Sequence, residues 1–157
     1  MRVQDAMRKF PKTCTATMDL AAVTELLWSR GCGALPVVDG TGAILGIITD
    51  RDICVAVGTR NRRPSEVTAG QAMTRQVAIC KSNDDIHDAL DLMREKKVNR
   101  VPVVGESGKL EGMLCLSDLI LQARHDDGGQ PELTYEDVMS VLRGIHWRHS
   151  VEIAPMC

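Results

Sequence analysis

The sequence predicts an α+β protein built from two copies of one βαββα unit and followed by a C-terminal helix. Three motifs occur twice and in the same order: an Ala-Met pair, a Pro-Val-Val segment, and a glycine followed six residues later by an aspartate. Each recurs at an offset of 66 residues, as Met7 and Met73 and then Asp52 and Asp118 illustrate. A repeat in constant register predicts two equivalent folded units, and ligand clefts are expected where such units meet.

Composition and charge predict a cytoplasmic protein. Charged residues make up 25% of the chain and the formal net charge is −2, so no general attraction to nucleic acid or to an anionic membrane is expected. No apolar run approaches the ~20 residues that cross a bilayer. Residues 1–9 also lack the apolar core of a signal peptide. Because one 66-residue unit would bury little surface, the copies are expected to share a core.

The six cysteines include no Cys-x-x-Cys pair, and without a secretory signal a disulfide framework is not expected. Cys14 and Cys80 occupy equivalent positions in the two copies. One interpretation is that a small, weakly polar side chain packs at the same core position in each unit. The alternative is a redox pair across the axis that relates the copies, which would need an electropositive and exposed setting.

Each copy is predicted to open with the Ala-Met element, which a short strand and a helix follow. The strands are placed at residues 13–17 and 77–81. Asp19 and Asp84 stand where N-caps would begin the helices, ahead of apolar residues at helical spacing. These patterns supply the first strand and first helix of each unit.

A hairpin and a second helix complete each copy. Residues 35–48 and 101–114 each contain two short β-branched segments around a glycine-containing turn, which favours a hairpin. The last helix is predicted to begin at Asp50 in the first copy and at Ser117 in the second.

The repeat divides the chain into four segments. Residues 1–60 and 67–124 are the two copies, residues 61–66 are a basic linker, and residues 125–157 are a C-terminal extension with a short helix. The arginines around the linker are interpreted as a solvated charge run. The alternative is that they edge a phosphate site.

The C-terminal extension contains one amphipathic helix. Thr134 and Asp137 have the spacing of a capping box, and the apolar face is Val138, Val141, Leu142 and Ile145. This face predicts that the helix docks on the body of the protein or on a partner subunit. His146 and His149 are three residues apart and could share a metal ion, but two histidines alone are weak evidence for a metal site.

The strand-to-helix junction at residues 46–52 carries the side chains best suited to bind a ligand. Gly46 lets another group approach the backbone, and free N–H groups at a helix start bind phosphate. Thr49 adds a hydroxyl donor, and Asp52 can accept hydrogen bonds from a ribose diol, as acidic residues do in dinucleotide folds. The alternative is purely structural: Thr49 and Asp50 cap the helix and Asp52 complements its dipole.

These residues resemble the cystathionine-β-synthase (CBS) domain pair, also called a Bateman module, over residues 1–124. The resemblance is specific because the Ala-Met, Pro-Val-Val and Gly-Ile-Ile-Thr-Asp-Arg-Asp motifs occur in order and recur. It implies two βαββα units packed sheet to sheet with pseudo-twofold symmetry. It also implies two clefts that in many members take AMP, ADP, ATP or S-adenosylmethionine, and pairing of two such modules into a homodimer.

The nucleotide pattern of the family, Gly-x-x-Thr/Ser-x-x-Asp, is complete only in the first copy. There the resemblance assigns Asp52 to the ribose hydroxyls and Thr49 to a phosphate, while Arg51 adds positive charge. The second copy keeps Asp118 but has Cys115 where the hydroxyl belongs. Since a thiol is a weak donor, the resemblance predicts a weaker phosphate contact there.

Asymmetry is also expected just before the Pro-Val-Val strand. The second copy has Asn99 and Arg100, which resemble the polar and basic pair that members of the family place against phosphate, whereas the first copy has Gly33 and Ala34. Arg100 either binds phosphate or pairs with a neighbouring carboxylate. Lys81 is a further candidate for that cleft. One competent nucleotide-binding site is therefore expected rather than two equal ones.

No catalytic constellation competes with these motifs, so the protein is expected to be non-enzymatic and to need no obligatory cofactor. The first hypothesis is a regulatory protein that senses an adenosine-containing ligand and signals to an unidentified effector by a conformational or dimer change. The second is a dimeric scaffold or interaction protein of the same fold with no small-molecule ligand. The third, a metal or redox responder, rests on the two histidines and the cysteines.

Overall fold

The computed structural model describes residues 1–125, 128 and 131–146 of the chain. The first half contains, in order, α1 (Val3–Ala6), β1 (Arg8–Lys9), β2 (Cys14–Thr15), α2 (Leu20–Arg30), β3 (Ala34–Val38), β4 (Ile44–Thr49) and α3 (Asp50–Arg60). The second half contains a 3-10 turn (Pro64–Glu66), α4 (Ala69–Ala72), β5 (Cys80–Lys81), α5 (Ile86–Lys96), β6 (Arg100–Val104), β7 (Leu110–Cys115), α6 (Leu116–Gln122) and α7 (Tyr135–His146).

Two sheets form the centre of the molecule, one for each copy of the repeat. Their strand orders are β2-β3-β4 and β1-β7-β6-β5. In the first sheet β2 runs parallel to β3, and β3 forms an antiparallel hairpin with β4. In the second sheet β5 runs parallel to β6, and β6 forms an antiparallel hairpin with β7. The registers are equivalent, since Leu35 pairs with Ile48 and Val101 with Leu114. The predicted fold class, two tandem βαββα units with a C-terminal helix, is confirmed.

The opening segment of each copy packs into the other copy. Strand β1 pairs with β7 of the second copy, and its repeat equivalent Thr74 forms a bridge with Ile47 of β4. Val3 and Ala6 of α1 lie in the hydrophobic cluster of the second copy, whereas Ala69 of α4 lies in that of the first. The expectation of one shared core therefore needs a correction: there are two cores, and each is completed by the opening helix of the other copy.

The repeated motif glycines make this exchange possible. A Cβ atom at Gly46 would lie 2.7 Å from both Met73 Sδ and the carbonyl oxygen of Thr74, well inside van der Waals contact. At Gly112 the equivalent obstacle is the Met7 side chain, whose Cγ would be 2.8 Å away. The group that approaches each glycine is thus the Ala-Met segment of the other copy, which explains why the two motifs recur together.

Most predicted helix starts agree with the structure, and two need correction by one residue. Asp19 caps α2 by accepting a hydrogen bond from the Ala22 N–H at 3.0 Å. In the second copy the N-cap is Asp85 rather than Asp84, because a cap equivalent to Asp19 must lie 66 residues later. Helix α3 begins at Asp50 as predicted, but α6 begins at Leu116, one residue before Ser117.

Helix α7 is confirmed as an amphipathic helix that docks on the body of the protein. Thr134 and Asp137 form the predicted capping box, with the Thr134 hydroxyl donating to Asp137 at 2.6 Å and accepting from the Asp137 N–H at 3.1 Å. Its apolar face packs on the core of the second copy through Val138, Val141, Leu142 and Ile145. His146 is exposed at the end of α7, while His149 lies outside the described residues.

Candidate functional site: two clefts between the repeats

Two clefts lie where the copies meet, and the repeat relates them. The first, cleft A, has a volume of about 370 Å³. It brings together the β4–α3 junction of the first copy and the residues that precede β6 in the second: Thr49, Arg51, Asp52, Asn99 and Arg100. Five of the eight predicted binding residues therefore share one cleft that neither copy could form alone.

The N-terminus of α3 holds the cleft A carboxylate in a fixed position. Asp52 Oδ2 accepts hydrogen bonds from the Thr49 N–H at 2.9 Å and from the Thr49 hydroxyl at 2.7 Å. In return the Asp52 N–H donates to Thr49 Oγ1 at 3.1 Å. Thr49 is the N-cap as the structural interpretation predicts, but its capping-box partner is Asp52, and Asp50 is the first residue of the helix rather than a cap. The capping box occupies only Oδ2, and among the described residues Asp52 Oδ1 accepts no hydrogen bond.

Cleft B is the repeat equivalent of cleft A and has a volume of about 350 Å³. It lies against Cys115 and Ser117 of the second copy and against the loop that precedes β3 of the first. Its cationic lining residues are Arg8, Lys9, Lys12, Arg30 and Arg100. The clefts are therefore alike in position and different in charge.

The aspartate beside cleft B is already bound to a cation. Arg8 holds Asp118 with both arms of its guanidinium: Nε donates to Oδ2 at 2.6 Å, and Nη2 pairs with Oδ1. The Asp118 side chain is only 11% exposed. The hydrogen bond to Asp118, and then its charge, raise the pKa of Arg8 above the ordinary arginine value. In cleft A the equivalent of Arg8 is Thr74, so Asp52 has no such partner.

Arg100 lines both clefts. Its guanidinium lies over Gly33, where an added Cβ atom would be 3.3 Å from Arg100 Nη2. It also interacts with Cys115. Burial, followed by the Asp118 carboxylate, raises the pKa of the Cys115 thiol, and the nearby Arg100 and Arg8 partly offset that rise. Since the first copy has Ala34 at the position of Arg100, this arginine is an asymmetric element of a symmetric fold.

Lys81 and the linker arginines lie away from both clefts. Lys81 is on β5, the outermost strand of its sheet, where its backbone N–H donates to Asp84 at 2.7 Å. It is not among the residues that line either cleft in the part of the chain that the structure describes. Arg60 donates to the Gln71 carbonyl at 2.8 Å, and Arg62 lies 3.8 Å from Glu66. The geometry favours the interpretation of the linker as a solvated charge run.

The cysteine pair is structural. Cys14 and Cys80 are both buried, in different hydrophobic clusters, and each thiol faces the carbonyl of a strand proline. Burial raises the pKa of Cys14 to about 11, and burial, reinforced by the charge of Asp84, raises that of Cys80 to about 12. The hypothesis of a redox pair is not supported, because the two thiols lie in separate cores.

Several residues that line the clefts escape prediction from the sequence alone, among them Arg8, Lys12, Arg30 and Thr74. Two of them belong to the opening segments, which reach the clefts only because these segments cross between copies. A signal was available in principle, since Arg8 and Thr74 follow directly on the Ala-Met motif.

Within residues 1–125 and 131–146, histidine, cysteine and acidic side chains do not assemble into a group of three that could hold a metal ion. Over the same residues, the helices are too short or too polar to cross a membrane.

Comparison with known proteins gives the class to which this architecture belongs. The CBS domain matches residues 3–58 and 69–124, once in each copy of the repeat. The chain belongs to the CBS domain family, and the resemblance inferred from its motifs is confirmed.

Two curated relatives contain the same pair of units. An uncharacterized protein of Methanopyrus kandleri is 27% identical over 118 residues, which are 75% of this chain and 60% of that protein. Inosine-5'-monophosphate dehydrogenase of Mycobacterium tuberculosis is 32% identical over 124 residues, which are 79% of this chain and 22% of the enzyme. The chain therefore spans less than two thirds of the length of either relative.

Three solved structures share the fold. Hypoxic response protein I, solved with two coordinated zinc ions, has a TM-score of 0.73 and 26% identity, and the match covers 79% of this chain and all of that one. CBSX2 in complex with AMP has a TM-score of 0.67 and 24% identity, covering 77% and 94%. MJ0100 in complex with 5'-methylthioadenosine and S-adenosyl-L-methionine has a TM-score of 0.68 and 24% identity, covering 78% and 94%.

Proposed function

We propose that this chain is a regulatory, non-enzymatic CBS pair that binds an adenosine-containing ligand in cleft A. The observation that carries the proposal is the convergence of Thr49, Arg51 and Asp52 from one copy with Asn99 and Arg100 from the other. Two proteins of the same fold were solved with such ligands, one with AMP and one with S-adenosylmethionine.

Each cleft A side chain has a chemical role suited to such a ligand. Asp52 is fixed by its capping box and keeps Oδ1 for the hydroxyls of a ribose. Arg51 and Arg100 supply the positive charge for a phosphate or a carboxylate, where a charge-assisted hydrogen bond is strong. Asn99 offers both a donor and an acceptor. The site needs no metal ion for any of these contacts.

Regulation follows from the fact that both copies contribute side chains to cleft A. A ligand that contacts both copies favours the packing in which Asp52 and Arg100 are correctly spaced. It therefore shifts any equilibrium between two arrangements of the copies by the difference of its affinities for them. The effector reads this shift in packing.

Calorimetric titration with AMP, ATP and S-adenosylmethionine tests the proposal. Asp52→Asn removes the charge that accepts the ribose hydroxyls, and we expect it to weaken AMP binding about tenfold or more. Asp88→Asn is the matched control, because Asp88 carries the same charge, is exposed on α5, and does not line cleft A. Absence of binding for all three ligands would favour the scaffold hypothesis, and equal effects of the two substitutions would refute the role of Asp52.

We further propose that a second copy of the chain docks on the α2–α3 groove, which is lined by Thr24, Leu27, Trp28, Cys32, Asp50 and Ile53. The groove has a volume of about 480 Å³, and the Trp28 residue is 88% exposed. In the second copy the equivalent surface, on α5 and α6, is covered by α7, whose Gly144 lies directly over Arg94, the equivalent of Trp28. The two helix pairs are therefore related by the repeat, but α7 covers the α5–α6 pair, whereas the α2–α3 pair is left uncovered by the described residues.

Light scattering tests this interface. Trp28→Glu is expected to convert a dimer into a monomer, since an exposed tryptophan in a groove is a typical centre of an interface. Leu121→Glu is the control, because Leu121 is 84% exposed on α6 and does not line the groove. A monomeric wild type, or a dimer that Trp28→Glu leaves intact, would contradict the proposal.

A further inference from the structure

Cleft B is lined by more cations than cleft A, whose lining residues include Arg51, Lys97 and Arg100 together with the carboxylate of Asp52. The five cationic lining residues of cleft B include Arg8, Lys12 and Arg30, and no Asp or Glu is among the described residues that line it. The repeat equivalents of Arg8 and Lys12 in cleft A are Thr74 and Ala78. At these two positions the positive charge is therefore specific to cleft B and is not shared by the repeat.

The groups that would recognise a ribose in cleft B are occupied or replaced. Asp118 is bound by both arms of Arg8, so its oxygens are committed to a cation. Cys115 stands where cleft A has the Thr49 hydroxyl, and its side chain makes no capping hydrogen bond. Cleft B therefore has no available carboxylate or hydroxyl at the positions that would bind a sugar, and its lysines and arginines attract an anion.

We propose that cleft B is a binding site for an oligophosphate group, which it recognises by the charge of Lys12, Arg30 and Arg100 rather than by a sugar. Arg8 is paired with Asp118, so the uncompensated charge of the cleft comes from its other lysines and arginines. Arg100 reaches cleft B from the second copy, and Lys12 and Arg30 reach it from the first. A volume of about 350 Å³ lies within the ordinary range for small-molecule sites.

The oligophosphate can be a free ion or the tail of a nucleotide. Phe10 lines cleft B with its residue 88% exposed, and its backbone adopts a left-handed φ of 53°. An aromatic face in this position is able to stack on a base, whereas the cationic residues act on phosphates from either source. The cationic residues would bind the phosphates of either source, whereas only a nucleotide has a base that Phe10 could stack on.

Titration with inorganic tripolyphosphate tests the site directly. We expect Lys12→Gln combined with Arg30→Gln to weaken binding about tenfold or more, since two charged contacts are removed. Arg62→Gln combined with Lys96→Gln is the matched control, because it makes the same change of net charge at exposed residues that line neither cleft. The control is expected to stay within about twofold of the wild type, and raised salt should weaken wild-type binding.

The source of the phosphate is resolved by titration with ATP, both in the wild type and in the Asp52→Asn variant, which weakens the ribose contact of cleft A. If ATP binds more tightly than tripolyphosphate and Phe10→Ala removes the difference, the group is a nucleotide tail. Equal affinities that Phe10→Ala does not change indicate a free oligophosphate. No binding of tripolyphosphate up to about 5 mM, or an equal loss in the control, would overturn the proposal.

This inference does not depend on the function proposed for cleft A, and its failure can be told apart from a failure there. AMP affinity is expected to be unchanged in the Lys12→Gln/Arg30→Gln variant, because neither residue lines cleft A. Tripolyphosphate binding without any AMP binding would refute the adenosine proposal alone. AMP binding without tripolyphosphate binding would refute the oligophosphate proposal alone.

Discussion

Gly46→Ala is expected to destabilise the protein at the contact where the two copies interlock. The added Cβ would lie 2.7 Å from the Thr74 carbonyl oxygen and from Met73 Sδ. The methionine can move, but the carbonyl belongs to a backbone segment that is held in place. Thr74 accepts a hydrogen bond from the Ile47 N–H at 3.0 Å and donates one to the Ile47 carbonyl at 2.9 Å.

The magnitude follows from the displacement that the new methyl group requires. An ordinary contact begins near 3.4 Å, so the Thr74 carbonyl must retreat by several tenths of an ångström and stretch both hydrogen bonds to Ile47. Overpacking of this kind costs about 2 kcal/mol. In a domain of this size that corresponds to a fall of roughly 4–8 °C in Tm.

Thermal unfolding followed by circular dichroism measures the effect, and the chain supplies a matched control. Gly58 lies within α3, and a Cβ added there meets no atom within 4 Å. Gly58→Ala is therefore expected to raise stability by roughly 0.5–1 kcal/mol through helix propensity. If Gly46→Ala melts at or above the wild-type temperature, the exchange of opening segments described above is wrong.

Three further outcomes are expected. Arg100→Ala changes a residue that lines both clefts. It should weaken AMP binding and tripolyphosphate binding about tenfold each, as measured by calorimetry. An effect on one ligand only would show that Arg100 acts in a single cleft. Val141→Ala, on the buried face of α7, should lower the free energy of unfolding by about 2 kcal/mol in a urea titration, whereas Met139→Ala, at a position 44% exposed, should cost far less. Because burial raises the pKa of Cys80 to about 12, its contribution to stability is complete below the unfolded-chain pKa of about 8.5 and declines as the pH rises toward 12. A thiol reagent at pH 8 should therefore modify the exposed Cys54 well before Cys80, and early loss of Cys80 would show that its core is open.

The order of elements was predictable because the 66-residue offset repeats every local pattern. The offset does not determine whether α1 and α4 pack on the core of their own copy or on that of the other copy. Val3 and Ala69 are apolar residues in short helices, and both patterns would fit packing within their own copy equally well. The pairing of β1 with β7, together with the close approach at Gly46 and Gly112, decides the matter in favour of exchange. The single-residue error at Asp84 has a simpler cause, since two consecutive aspartates can both serve as an N-cap by residue type.

The part of the candidate site that has local sequence motifs was predictable. The junction residues Thr49 and Asp52 have a local motif, so their place at the start of a helix could be inferred from the sequence. That they meet Asn99 and Arg100 in one cleft follows from the packing of the two copies, which the local motifs do not specify. Arg8 has no local motif of its own. Its ion pair with Asp118 joins residues 110 positions apart, and a contact of that range depends on the interlocked fold.

The two clefts therefore differ through a few substitutions on a common frame. In cleft A the residue at position 74 is a threonine, and Asp52 Oδ1 accepts no hydrogen bond from the described residues. In cleft B the equivalent residue is Arg8, which binds both oxygens of Asp118. One exchange of threonine for arginine thus commits the sugar acceptor to an ion pair. Because Arg100 borders both clefts, a ligand that draws its guanidinium toward one of them withdraws charge from the other. Occupancy of cleft A should consequently weaken oligophosphate binding in cleft B, and by thermodynamic linkage the reverse must hold to the same degree.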